Sequence, residues 1–335
     1  MVHIQIVLFD GFDLLDAIAP YEVFTAAAMY TDEEITVELV TAEGNRLVKS
    51  GINDLMIPAG GKLDITSGGI ILVPGASGPV NGLGPDSVPT KLKRATETEL
   101  SNMLKGALNN SDTLVSTVCG GSLILAMDGL LVGRHAVTHH MGMELLEATD
   151  AIPVHARIVD DGNLVTGGGV TSGIDVALYL IERELGPRIA HAVEQLFEYE
   201  RRGTVWKAAG NEPKEDRDID MARDSPALPP VRNRIDIPFL GEWDTTISTP
   251  IGKLSVLLNL YSEDGRLCGT AKQGEDIALL ENLEIEDSLL KWSMLSAKPV
   301  RLNLKFSVAI HGDSMSGEAK AGMLPASKLV GHRVF

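Results

Sequence analysis

Gly69–Gly75 reads GIILVPG, an apolar run with no polar alternation that ends in Pro-Gly. A strand of that composition needs cover on both faces, as in a parallel sheet sandwiched between helices. The neighbouring chain supplies such a pattern. HIQIVLF (3–9), the period-two run ITVELVTA (35–42) and DTLVSTVC (112–119) read as strands. Between and after them, PYEVFTAAAMY (20–30, with proline in its first turn), TETELSNMLKGALNN (96–110), GGSLILAMDGLL (120–131) and SGIDVALYLIEREL (172–185) read as helices. HAVTHH and IPVHARIVDDGNLVTGG are strand-like. Strands alternating with helices predict an α/β fold with a doubly wound, mostly parallel sheet. Ligands on such sheets sit beyond the carboxyl ends of the strands.

The pattern changes after residue 200. Residues 201–238 are charged and proline-bearing with little periodicity, which is linker composition. Residues 239–335 read as short strands joined by turns at Asp264-Gly265 and His311-Gly312-Asp313. About seven or eight such strands predict an antiparallel β-barrel or sandwich. Gly241-Glu242-Trp243 weakly resembles the Gly-x-Trp opening of lipocalin- and avidin-like barrels, with Trp243 plugging one end. The expected division is therefore an α/β domain (1–200), a linker (201–238) and a β domain (239–335).

Charge narrows the partners. The 335 residues carry 29 basic and 46 acidic side chains, a net charge of −17. That balance repels phosphate backbones and anionic headgroups, so neither nucleic acid nor membrane is an expected partner. No apolar stretch approaches the roughly 18–20 residues of a membrane span. The opening residues lack a basic n-region and meet Asp10 too early for a secretory leader. Two cysteines make no disulfide scaffold. A cytoplasmic protein with reduced thiols is expected.

Thr113–Ile124 concentrates the chemistry: an apolar strand, Cys119, then Gly120-Gly121-Ser122 and a helix. A nucleophile elbow needs this order, because only small residues fit beside so tight a strand-to-helix turn. Amides at the helix start favour thiolate over thiol. The competing reading is a buried apolar cysteine, which would not require the glycines. Amides around Gly75 and Ala76, with that of Gly120, are candidates for stabilising developing charge, and Ser77 beside them is a candidate for lining the substrate site; a simple glycine turn is the alternative. Asp16 lies between apolar residues before the expected helix, so its carboxyl is expected to be desolvated and its pKa raised. That makes it a candidate proton donor, with a helix cap as the alternative. Asp10 and Asp13 read as solvated loop residues, and Glu22 as solvated or capping.

Residues 1 to about 200 resemble the DJ-1/PfpI superfamily, and within it the isonitrile hydratases. The resemblance rests on Leu15-Asp16 with Ala19-Pro20, Val73-Pro74-Gly75, Val115–Leu123, Gly129–Gly133, Thr138-His139, Ala151–His155, Asp161–Gly169, and Thr171, Gly173, Ile174 and Asp175. It implies a fold like that of class I glutamine amidotransferases, a nucleophilic Cys119, an acid/base Asp16 and a homodimer. It also implies a lyase that hydrates an isocyanide to an N-substituted formamide through a Cys119 thioimidate, without cofactor or metal. Isonitrile hydratases of this type carry threonine after the cysteine, and peptidases of the superfamily carry histidine. Gly120 departs from both. The stretch from Pro79 to Ala95 is long for the family and reads as a lid or an exposed loop.

His139, at a strand end, is a candidate for lining the substrate site. His135, His139 and His140 lack a cysteine or carboxylate at ligand spacing, so no metal site is expected. Thr166–Gly169 lacks a complete Gly-x-Gly-x-x-Gly and reads as a tight turn packing strand against helix. Cys268 reads as packing. Two alternatives stay open: another cysteine-based hydrolase or glyoxalase-like activity at the same site, or a small-molecule-binding protein without turnover. The superfamily also supplies sensing domains to AraC-type regulators, which carry a helix-turn-helix after the domain. The β-rich segment here argues against that architecture.

Overall fold

The computed structural model describes residues 2–80, 84–211, 239–249, 252–263, 266–274, 276–286, 289–296, 302–321 and 326–334. The expected linker falls mainly on 212–238, outside the described residues, as does the turn at Asp264-Gly265. In chain order the first part comprises β1 (Val2–Val7), α1 (Leu14–Ala27), β2 (Ile35–Thr41), β3 (Arg46–Lys49), β4 (Met56–Ala59), β5 (Gly61–Lys62), β6 (Gly69–Val73), α2 (Val88–Thr96), α3 (Leu100–Leu108) and β7 (Thr113–Thr117). It continues with α4 (Gly121–Met127), β8 (His135–Ala136), a 3₁₀ turn (His140–Gly142), α5 (Met143–Ala148), β9 (Ile152–Pro153), β10 (Ile158–Asp160), β11 (Leu164–Gly167), α6 (Ser172–Leu185), α7 (Pro187–Phe197) and β12 (Trp206–Lys207).

Eight of these strands form one sheet in the order β12-β10-β11-β7-β6-β1-β2-β5. Every pairing is parallel except β10 with β11. β6 and β7 lie at its centre, and Ile70–Val73 and Thr113–Thr117 are buried throughout. The continuous apolar run thus has the two-sided cover it requires. α1, α6 and α7 pack together as one helical layer, and α2, α3 and α4 as another. This is the expected α/β architecture, and β12 extends its sheet past residue 200.

Two differences from expectation bear on the site. α1 begins at Leu14, not near Pro20, because Asp13 caps it: Asp13 Oδ1 accepts from the amides of Leu15 (3.0 Å) and Asp16 (3.3 Å). Asp13 is therefore a buried cap rather than a solvated loop residue. Pro20 lies inside the helix, and its ring packs where Gly173 of α6 leaves room. The second difference is α2. The stretch read as a lid or loop is helical from Val88, with Pro89 in the first turn, Lys93 and Arg94 in the last, and Leu92 and Ala95 buried.

Beyond the linker lie β13 (Gly241–Thr249), β14 (Gly252–Glu263), β15 (Arg266–Gln273), β16 (Asp276–Leu279), β17 (Glu281–Glu286), β18 (Leu289–Ser296), β19 (Leu302–His311), β20 (Ser314–Ala321) and β21 (Ser327–Arg333). They form a nine-stranded antiparallel sheet in the order β16-β15-β14-β13-β21-β20-β19-β18-β17. Leu280 alone separates β16 from β17, yet these are opposite edges of the sheet. The edges must therefore meet, and the sheet curls into a nearly closed barrel. Its interior holds Trp243, Ile247, Leu258, Leu290, Trp292, Phe306, Val308 and Leu329, with Trp292 and Phe306 stacked at 4.7 Å. Trp243 is fully buried; its indole donates to Phe239 O (3.2 Å), and the Arg333 guanidinium covers its ring at 4.3 Å. Ala148, at the end of α5, packs with this barrel cluster. Among the described residues no helix is long and apolar enough to cross a membrane.

Candidate active site

β7 ends at Thr117 beside the end of β6, and the Val118 amide still bonds Val73 O (3.0 Å). The chain then reverses sharply. Cys119 has φ +57°, a left-handed conformation that costs a non-glycine residue about 1–3 kcal/mol. Its neighbours hold it there. The Cys119 amide donates to Gly168 O (2.8 Å), and its carbonyl accepts from Thr138 Oγ1 (2.8 Å). A Cβ on Gly121 would lie 2.2 Å from Val73 O, so α4 can start this close to the sheet only with glycine there. The elbow expected from the Cys-Gly-Gly order is formed.

Asp16 reaches the same point from α1. It is fully buried in the first turn, and Oδ2 accepts the Gly75 amide at 2.9 Å. Oδ1 has no hydrogen-bond partner among the described residues. A Cβ on Gly75 would lie 2.6 Å from Gly120 N, 2.8 Å from Asp16 Oδ2 and 3.1 Å from Cys119 Cβ. The strand ends β6 and β7 and the helix start of α1 thus converge on one point that only a glycine leaves open.

The electrostatics follow from burial. Desolvation, and then the nearby Asp13 charge, raise the Asp16 pKa to about 8. The amide of Gly75 and the Cys119 thiol oppose that rise. At neutral pH Asp16 therefore carries its proton. At the sulfur the influences oppose one another. Burial pushes the Cys119 thiol well above its ordinary range, and the Asp16 carboxylate pushes it further. The Gly120 amide bonds the sulfur and pulls the other way, but does not win. α4 has only seven residues, and its dipole is correspondingly modest. Burial thus favours the uncharged form of both groups, and the Gly120 amide favours charge on the sulfur.

The remaining candidates divide. Gly120 stands against the sulfur. Ala76 bridges to Phe12, which ties the β6 end to the turn before α1. The Gly75 amide is engaged by Asp16 and so is not the free donor expected, and the Ser77 amide bonds Gly11 O (3.2 Å). Ser77 Oγ is buried without a partner. His139 is half-buried beside Gly169, and its Nδ1 accepts from the Met141 amide (3.3 Å). It neighbours the loop that holds Cys119 but has no bond to Cys119 or Asp16. His135 lies instead against Asp161 and the Trp206 ring. Among the described residues no three His, Cys, Asp or Glu side chains cluster as metal ligands.

Sequence reasoning missed Thr138 and Gly168 as the groups that pin Cys119, and Asp13 as the charge beside Asp16. Gly167–Gly169 was visible as a tight turn, and the close approach of Gly167 to Val176 agrees with that reading. That the Gly168 carbonyl serves Cys119 has no local signal.

A model of the DJ-1/PfpI family matches residues 2–183. Isonitrile hydratase of Pseudomonas putida is 49% identical over 85 residues, 25% of this chain and 37% of that protein. Protein DJ-1 homolog A of Arabidopsis thaliana is 33% identical over 98 residues, 29% of this chain and 25% of that one. The HTH-type transcriptional regulator CdhR of Pseudomonas aeruginosa is 24% identical over 193 residues, 57% of this chain and 53% of the regulator. The chain thus spans about a quarter to a half of these relatives. Among solved structures, a ThiJ/PfpI family protein from Pseudomonas syringae superposes with TM-score 0.50 at 23% identity, covering 60% of this chain and 76% of that one. Drosophila melanogaster DJ-1beta superposes with TM-score 0.50 at 19% identity, covering 59% and 98%.

Proposed function

The chain belongs to the DJ-1/PfpI family, and from that premise we propose that it is a cysteine-dependent hydratase of small electrophiles, with isocyanides as the substrate class. One observation carries the reading: a buried Asp16, held by the Gly75 amide, lies against a Cys119 in a left-handed turn. Partial identity to an isonitrile hydratase supports the substrate class.

The pair suits this chemistry. An isocyanide carbon is electrophilic toward sulfur and becomes basic once sulfur adds. The Cys119 sulfur bonds that carbon as its proton leaves, and Asp16 passes a proton to the carbon while taking up the one released by the thiol. The net change is addition of S–H across the carbon, giving R–N=CH–S–Cys119. Water then adds across C=N, with Asp16 giving its proton to the nitrogen while taking one from the water, so that the acid is regenerated. The tetrahedral R–NH–CH(OH)–S–Cys119 collapses, the C–S bond breaks, and the hydroxyl proton returns to sulfur. The products are R–NH–CHO and the free thiol. The Gly120 amide steadies negative charge on sulfur in both directions.

Incubation with a simple isocyanide and detection of formamide tests the reading. Wild type is expected to turn over, and Cys119→Ala and Asp16→Asn to lose turnover while staying folded. Formamide production unchanged in Cys119→Ala sinks the assignment. Homodimerisation and the division into an α/β domain, a linker and a β domain are part of the same proposal, with β12 carrying the first domain past the expected boundary at 200. Sedimentation and limited proteolysis test them. A second reading, ligand sensing without turnover, is favoured by the 193-residue match to a regulator. It predicts saturable isocyanide or analogue binding with no formamide. The described residues from Gly241 onward form strands rather than a helix-turn-helix.

A further inference from the structure

α2 brings one side chain to the edge of the Cys119 site. Leu92 is buried, and a Cβ built on Gly120 would lie 3.2 Å from its Cδ1, 3.6 Å from its Cδ2 and 3.8 Å from Gly75 Cα. The Gly120 backbone, whose amide bonds the sulfur, is thus covered by the Leu92 isobutyl group and by Gly75. α2 cannot simply withdraw. On the residue before Leu92, Lys91 Nζ donates to Ser77 O at 2.7 Å, and the Lys91 stem lies where a Gly11 Cβ would be 2.6 Å from its Cδ. α2 is thus fastened to the turn before Asp16 and to the loop after Gly75. Both loops belong to the site.

We propose that Leu92 is the specificity-determining side chain of this site. It occupies the volume that a side chain at position 120 would otherwise take, and it restricts the electrophile to slim apolar substituents. Unbranched alkyl groups pass beside its methyls. Groups branched next to the reacting centre meet them. Leu92 offers no donor or acceptor, so polar substituents gain nothing on this wall. This inference rests on the proposed role of Cys119, and it assigns a substituent class to that reading. One methylene in an apolar pocket discriminates by roughly 10- to 200-fold.

The test compares kcat/KM for n-butyl and tert-butyl isocyanide in the full-length wild type, Leu92→Val and Leu92→Ala. The n-butyl preference is expected to fall at least about tenfold in Leu92→Ala, and by less in Leu92→Val. Gly120→Ala is expected to sharpen it. Leu92→Val keeps most of the buried volume and guards against loss of fold in the larger truncation. In parallel, Cys119 is alkylated at alkaline pH with iodoacetamide and with N-tert-butyl iodoacetamide, and adducts are counted by mass spectrometry. If wild type turns over no isocyanide, the reaction reading fails, and the alkylation ratio still decides the role of Leu92. A ratio that narrows in the folded variants supports it. An unchanged ratio, or a Cys119 that neither reagent reaches in any folded variant, overturns it.

Discussion

At Gly75, three atoms of three different elements leave no room for a methyl group. Gly75→Ala must push Asp16, Cys119 or Gly120 aside. The expected cost is about 1–3 kcal/mol from overpacking, together with loss of turnover. Thermal melting and the formamide assay measure the two separately. Asp16 gives a pH prediction whose sign follows from burial. The folded pKa, about 8, lies above the ordinary 3.8. The folded protein holds this proton more tightly than the unfolded chain does. The stabilisation so gained is complete below pH about 4 and is lost as pH rises through about 8. Asp16→Asn has no proton to lose, so its melting temperature should gain on wild type between pH 5 and pH 9. Proton donation also needs the neutral acid, so wild-type kcat/KM should fall through the same upper range. A flat rate profile from pH 6 to 10 would contradict the donor role.

Among elements, α1 shows how a cap and a site share residues. Asp13 closes the helix start and also raises the pKa of Asp16. Asp13→Asn retains a capping oxygen and removes the charge, so stability should change by only a few tenths of a kcal/mol while the alkaline limb of the rate profile moves to lower pH. Asp13→Ala should also cost about 1 kcal/mol of stability. Both shifts are read by melting and pH–rate curves. Elements with strong periodicity were legible in sequence. SGIDVALYLIEREL matches α6 residue for residue, and the Cys-Gly-Gly order gave the elbow. α1 was read six residues short, because Pro20 was taken as a start when its missing amide is tolerated inside the helix. α2 was read as a loop, its few apolar residues outnumbered by polar ones. The β domain has nine strands among the described residues against the seven or eight expected, and β16 and β17, short and mostly exposed, carry the weakest pattern. The burial that opposes a thiolate is hidden from sequence for a different reason. Dipole and amides are local and readable, whereas desolvation depends on the whole surrounding fold.

For the whole molecule, β12 is informative about where the first unit ends. Trp206 and Lys207 pair with Val159 and Asp160 beyond the expected boundary, and Lys207 Nζ lies 3.2 Å from buried Asp160. Limited proteolysis of the full chain is expected to leave Trp206–Lys207 with the N-terminal fragment. A chain stopped after Val205 should melt below one stopped after Asn211. Equal melting temperatures would make β12 dispensable. The barrel has a different dependence. β13 takes one neighbour from β14 and the other from β21, the last described strand. On a ribosome, the α/β sheet has all its strands once Lys207 has emerged. β13 must wait with one edge bare, and Trp243 without its arginine cover, until Ser327–Arg333 follows. The half-made barrel is therefore the moment in this protein's synthesis most open to capture by another nascent chain, and chaperone demand should concentrate there.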